Sequence, residues 1–86
     1  NKILNTKAFP NPFDRRFTLS FSIMEKEEVR IDLYDVMGKL IRNISNKTFT
    51  SGEYNVIVEV NSLSAGVYFA RIQAGNGVKT IRVVKH

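Results

Sequence analysis

Apolar and polar residues alternate with period two over much of the chain, the pattern of strands that bury one face. Phe17, Leu19, Phe21 and Ile23 interleave with Arg16, Thr18, Ser20 and Ser22, which predicts a strand with one apolar and one hydroxyl-rich side. Val29, Ile31 and Leu33 alternate with Arg30, Asp32 and Tyr34, and Tyr54, Val56, Val58 and Val60 alternate with Asn55, Ile57 and Glu59. Both segments read as half-buried strands. Val67 to Ala74 and Val78 to Lys85 are rich in Val, Ile and aromatics, and Gly75-Asn76-Gly77 between them tolerates the positive φ of a tight turn, so these two strands are expected to pair antiparallel.

Turn residues separate these runs at roughly 8 to 12 residues, the spacing of sandwiches and barrels rather than of alternating strands and helices. Gly38 is expected to close a turn between Asp35-Val36-Met37 and a strand opening at Lys39-Leu40-Ile41, and Ser51-Gly52 marks a further break. Met24-Glu25-Lys26-Glu27-Glu28 is the one helix-like run, too short to stand alone, and a helical turn is the minority expectation there. Phe9-Pro10-Asn11-Pro12-Phe13 fixes φ at two positions and lacks two donors, so it predicts a corner or an edge crossing, with residues 1–8 before it reading as a short first strand or the end of a linker. Leu63-Ser64-Ala65-Gly66-Val67-Tyr68 has the L-x-x-G-x-Y form of a tyrosine corner, in which the phenol reaches back to a backbone group. Together these elements predict an all-β, immunoglobulin-like or fibronectin-like antiparallel sandwich of about seven strands with Greek-key connections. Its core is expected to hold Phe17, Leu19, Phe21, Ile31, Leu33, Val56, Val58 and Ile72.

The length of 86 residues confines this pattern to one domain spanning 1–86, and without cysteine no disulfide or thiolate metal site can staple it. The chain opens on Asn1 rather than methionine, so a longer parent polypeptide is expected, and His86 reads either as native or as the first residue of a purification tag. No apolar run reaches the roughly 18 to 20 residues of a membrane span, so no membrane insertion is expected. Catalysis finds no support: the single histidine is terminal, and no HExxH, phosphate loop or EF-hand spacing occurs. No metal site and no cofactor are expected. Glu25, Glu27 and Glu28 read as a solvated cluster in a strand connection.

Charge changes the picture more than composition does. The net charge is +5, yet Glu59 is the last acid, so Arg71, Lys79, Arg82 and Lys85 face no counter-charge in the final third. One reading is an electrostatic docking face for an acidic receptor. Another is that cations along an edge strand deter edge-to-edge aggregation. Nucleic-acid binding is disfavoured, since no aromatic nucleic-acid motif or basic stripe across several strands is visible. A carbohydrate-binding module is the stronger rival, but it needs an open aromatic platform, there is no Trp, and most aromatics fall at core or corner positions.

The succession FPNPF (Phe9 to Phe13), LYDVMGKLI (Leu33 to Ile41), SGEYNVIV (Ser51 to Val58), LSAGVYFARI (Leu63 to Ile72) and KTIRVVKH (Lys79 to His86) resembles the type A C-terminal sorting domain of proteins exported by the type IX secretion system of Bacteroidetes. The resemblance implies a secretion and sorting signal. An attached N-terminal cargo would pass through the periplasm and the outer-membrane translocon to the cell surface or medium, and a sortase-like peptidase would remove the domain. Residue by residue, it places a G-x-Y element on Gly52 and Tyr54 and an L-x-x-G-x-Y-x-x-[RK] element on Leu63, Gly66, Tyr68 and Arg71. It places a basic terminal strand on Lys79, Arg82 and Lys85, the residues assigned to translocon recognition. Pro10, Asn11, Pro12, Gly38, Gly52, Tyr54, Gly66, Tyr68 and Arg71 are expected to serve the fold. The alternative function is an accessory immunoglobulin-like or carbohydrate-binding module of a secreted enzyme.

Overall fold

The computed structural model describes residues 2–60 and 62–86; Asn1, included in the first expected strand, lies outside them. The described residues form seven strands: β1 (Ile3–Phe9), β2 (Arg16–Ile23), β3 (Glu27–Asp35), β4 (Leu40–Phe49), β5 (Gly52–Glu59), β6 (Gly66–Ala74) and β7 (Gly77–Lys85). They build two antiparallel sheets, ordered β1-β2-β5 and β4-β3-β6-β7. The chain changes sheet after β2, after β4 and after β5, the Greek-key course of the expected sandwich.

Alternation in β2 is complete, with Phe17, Leu19, Phe21 and Ile23 buried. They face Val29, Ile31 and Leu33 of β3 and Tyr68, Ala70, Ile72 and Ala74 of β6, all buried, with Val83 of β7 extending the layer. Burying a large aliphatic or phenyl side chain contributes about 1.5–3 kcal/mol, so this layer is the main source of stability. Of the eight expected core residues seven are buried, and Val56 is the correction. It points inward but is only half-buried, because β5 is an edge strand with no neighbour beyond it. Phe13 and Phe49 are among the core residues outside that expectation. Phe13 is 1% exposed with its ring 4.8 Å from that of Phe17, and Phe49 closes an aromatic group with Phe21 and Tyr54.

Met24 to Lys26 form a bend, and Glu27 and Glu28 already belong to β3, so no helical turn forms there. The solvated reading of the acidic cluster holds only in part. Lys2 lies 2.7 Å from Glu27 and 3.4 Å from Glu25, which ties the start of β1 to the start of β3 across the two sheets. The hydrogen bond from Lys2 holds the Glu27 carboxyl below the ordinary range, and the same bond raises the Lys2 ammonium.

The β6–β7 hairpin closes as expected, with Ala74 paired to Gly77 around Gly75-Asn76 and Gly75 at φ +59°. β4 is less regular. Against β3 its register shifts between Ile31 and Asp32 and again between Leu33 and Tyr34, leaving Ile44 and Ile41 as the extra residues of two bulges.

Candidate recognition surface

Two G-x-Y elements lock the crossovers. Tyr68 donates its phenol proton to the Ser64 carbonyl at 2.7 Å, the tyrosine corner expected from L-x-x-G-x-Y. Tyr54 makes the same four-residue reach to the Thr50 carbonyl at 2.6 Å. The glycine two positions ahead of each tyrosine has nearly the same backbone, φ +148° at Gly52 and +151° at Gly66. Side chains rarely adopt such values, so glycine is required for the chain to swing into the strand with the tyrosine turned back over the corner.

Asn11 seals the outer edge of β7. Its side-chain amide donates to the Arg82 carbonyl at 2.9 Å while its carbonyl oxygen accepts from the Val84 amide at 2.9 Å. Phe13 continues the seal: its amide donates to Val84 and its carbonyl accepts from His86, each at 2.9 Å. Pro10 and Pro12 bracket Asn11, both following cis peptide bonds. The edge that cations were read as protecting is therefore already paired over its last residues. The aggregation explanation for Arg82 and Lys85 does not fit this geometry.

Strand alternation separates the three basic residues assigned to recognition. Lys79 and Lys85 share the side of β7 that carries Ile81 and buried Val83, at opposite ends of the strand and about 20 Å apart at 3.3 Å per residue. Arg82 lies on the opposite side, paired with Phe69 of β6. Lys79 and Arg82 are exposed, whereas Lys85 is half-buried beside the bridge to Phe13. The trio is one strand but not one surface.

Arg82 stands instead on the outer face of the four-stranded sheet, together with Arg71. There Arg71 is paired with Asp32, which is 4% exposed. The Asp32 carboxylate accepts from Arg30 Nε at 2.8 Å and from the Asn43 side chain at 2.8 Å, which satisfies a buried charge. Beside this polar row run two rows without a carboxylate, Leu40-Tyr34-Phe69-Arg82 and Val67-Val84. Sequence reading missed this face. The available signal was that Tyr34 and Phe69 occupy outward positions of their strands and are nevertheless aromatic.

The β3–β4 turn borders those rows. The Asp35 carboxylate accepts the Met37 and Lys39 amides, each at 2.9 Å, and Gly38 adopts φ +82°, the left-handed glycine expected there. Among the described residues no group of three or more His, Asp or Glu stands where it could hold a metal ion.

A family profile described as the secretion system C-terminal sorting domain matches residues 7–86. The chain belongs to that family. The match covers both G-x-Y corners, the β7 seal, the Asp35 turn and the terminal strand, so the sorting-domain pattern spans nearly the whole sandwich. The domain is a C-terminal sorting signal for type IX secretion, and its family is not an enzyme family. Such a signal serves a cargo and the type IX machinery, and it directs export toward the cell surface or the extracellular space. No curated protein matches the chain.

Proposed function

We propose that the sorting domain is read in its folded form by the outer-membrane translocon while its N-terminal cargo waits in the periplasm, and that a sortase-like peptidase then removes it. It has no catalytic role of its own. Recognition centres on the terminal strand, where Lys79, Arg82 and Lys85 present positive charge. The carrying observation is that Lys79 and Arg82 are exposed and make no ion pair among the described residues, so their charge is available to a partner rather than spent on the fold. Pro10, Asn11, Pro12, Gly38, Gly52, Tyr54, Gly66, Tyr68 and Arg71 support the fold that displays it.

Because β7 divides the trio between its two sides, two variants separate the contributions. Lys79→Gln/Lys85→Gln and Arg82→Gln are each fused, within the full domain, to the C-terminus of a periplasmic reporter in a bacterium with a working type IX system. Loss of export in either variant, with the thermal midpoint preserved, supports recognition of the charge on that side. Normal export of both, and of the triple Gln variant, refutes a role for the terminal cations.

A further inference from the structure

Among the described residues eight large hydrophobics are exposed, and three of them, Val36 at 63%, Met37 at 86% and Leu40 at 44%, gather at and beside one turn. The turn does not need them. Asp35 and Gly38 build it through backbone and carboxylate contacts, and the Val36 and Met37 side chains project from its tip. Isolated exposed apolar residues are ordinary, but a contiguous group is not.

This group is continuous with the outer face of the four-stranded sheet. Leu40 pairs with Tyr34, Tyr34 with Phe69 and Phe69 with Arg82, so one row crosses β4, β3, β6 and β7. At about 4.8 Å between strands the row spans about 14 Å. Val67 and Val84, paired and half-buried, lie alongside it. Tyr68 and Ala70, on either side of Phe69, are buried in the core, which fixes the Phe69 ring outward. Beyond the row the face turns polar at Asn43, Asp32 and Arg71, so the apolar area is bounded.

The charges around it are one-sided. Lys39, Arg71 and Arg82 make no ion pair among the described residues, while the two nearby acids are engaged, Asp32 by Arg30 and Asp35 by the amides of its own turn. Aromatic residues, Met and Arg are the types enriched in protein–protein interfaces, and this face is built of Tyr34, Phe69, Met37 and Arg82.

We propose that the face made by Val36, Met37, Leu40, Tyr34, Phe69 and Arg82 docks onto an acidic protein surface of the export machinery that holds an apolar socket for the turn. The proposal rests on the sorting function and deepens it. Of the basic trio, Arg82 belongs to this face, as the charged end of the row, while Lys79 and Lys85 present their charge from the other side of β7. Apolar anchoring supplies affinity, and the cationic rim selects an acidic partner and speeds encounter.

The test uses the full domain fused to the reporter described above. Met37→Glu/Leu40→Glu replaces two exposed apolar side chains with charges that an acidic partner repels, and Ile57→Glu places one such charge on the other sheet, where Ile57 is 62% exposed. Met37→Glu/Leu40→Glu is expected to abolish surface delivery and Ile57→Glu to preserve it, with thermal midpoints near that of the unaltered domain. Should the double Glu variant unfold, Val36→Ser/Met37→Ser removes the apolar tip without adding charge and is expected to reduce delivery in a folded protein. Normal export of the folded variants overturns the proposal and leaves the sorting function standing, whereas retention of the unaltered fusion in the periplasm defeats both. Three binding results with the purified domain also overturn it: dimerisation abolished by Met37→Glu/Leu40→Glu, glycan binding abolished by Phe69→Ser, or binding to anionic lipid vesicles abolished by Met37→Glu/Leu40→Glu.

Discussion

Replacing Tyr68 with Phe deletes one oxygen from the corner that closes the crossover from β5 to β6. The ring still fills its place, since Tyr68 is 8% exposed and packs in the core, so the change isolates the 2.7 Å bond to the Ser64 carbonyl. A typical bond contributes about 0.5–1.5 kcal/mol net, and a carbonyl left without a partner in a part-buried site raises the cost toward about 2 kcal/mol. With a total stability of about 4–13 kcal/mol for a domain of this length, such a loss is a sizeable fraction. At about 4–8 °C per kcal/mol, a loss of about 2 kcal/mol should lower the thermal midpoint by about 8–16 °C. Tyr54 supplies the internal control. Its bond to the Thr50 carbonyl is as short, but it is solvent-exposed, so water can replace the phenol and Tyr54→Phe should cost less than about 1 kcal/mol. Urea unfolding followed by circular dichroism reads both variants, and an unchanged m-value certifies that the same surface unfolds. Equal costs for the two substitutions, or a Tyr68→Phe midpoint within error of the parent, would refute the reasoning that burial makes one corner matter more than the other.

Phe21 is 1% exposed between Phe49 and Tyr54, so Phe21→Ala should cost about 3–5 kcal/mol in the same urea assay. Asn11→Ala removes both bonds to the β7 edge, and hydrogen exchange should quicken at the Val84 amide while the Tyr68 amide, deeper in the sheet, stays protected. The Lys2–Glu27 pair should show in the pH dependence of stability. With its pKa lowered in the folded state, Glu27 contributes above the ordinary carboxylate value of 4.5, and that contribution is lost as pH falls through the folded value. Lys2, with its pKa raised, contributes fully below 10.5 and loses that contribution as pH rises through its folded value. Stability differences between the parent and Glu27→Gln should therefore be largest between these limits, shrink in acid and diminish with salt, as read by thermal midpoints across a pH series.

Local chemistry made most of the fold legible. In β2 every second residue from Phe17 to Ile23 is apolar because one side meets the opposite sheet, and Gly66-x-Tyr68 announced its corner through residue types that few other geometries require. β4 was legible only at its start. Its bulges place the inward residues Ile41 and Ile44 three apart, which breaks the alternation that reveals a strand. Phe13 reads as part of a corner because two prolines precede it, yet the corner folds back so that its ring reaches Phe17. The basic residues of the terminal strand were legible as charge but not as a surface, since strand parity sends Arg82 one way and Lys79 and Lys85 the other. The outer-face row depends on pairing among four strands, which adjacency in the sequence does not reveal.

The sorting function itself is tested most directly by moving the domain. Residues 1–86, unaltered, are fused to the C-terminus of a periplasmic reporter that does not otherwise leave the cell, and the fusion is expressed in a type IX-competent bacterium and in its translocon-deleted sibling. The reporter should reach the surface or medium in the first strain and remain periplasmic in the second. Retention in both strains, or release from both, would contradict the assignment.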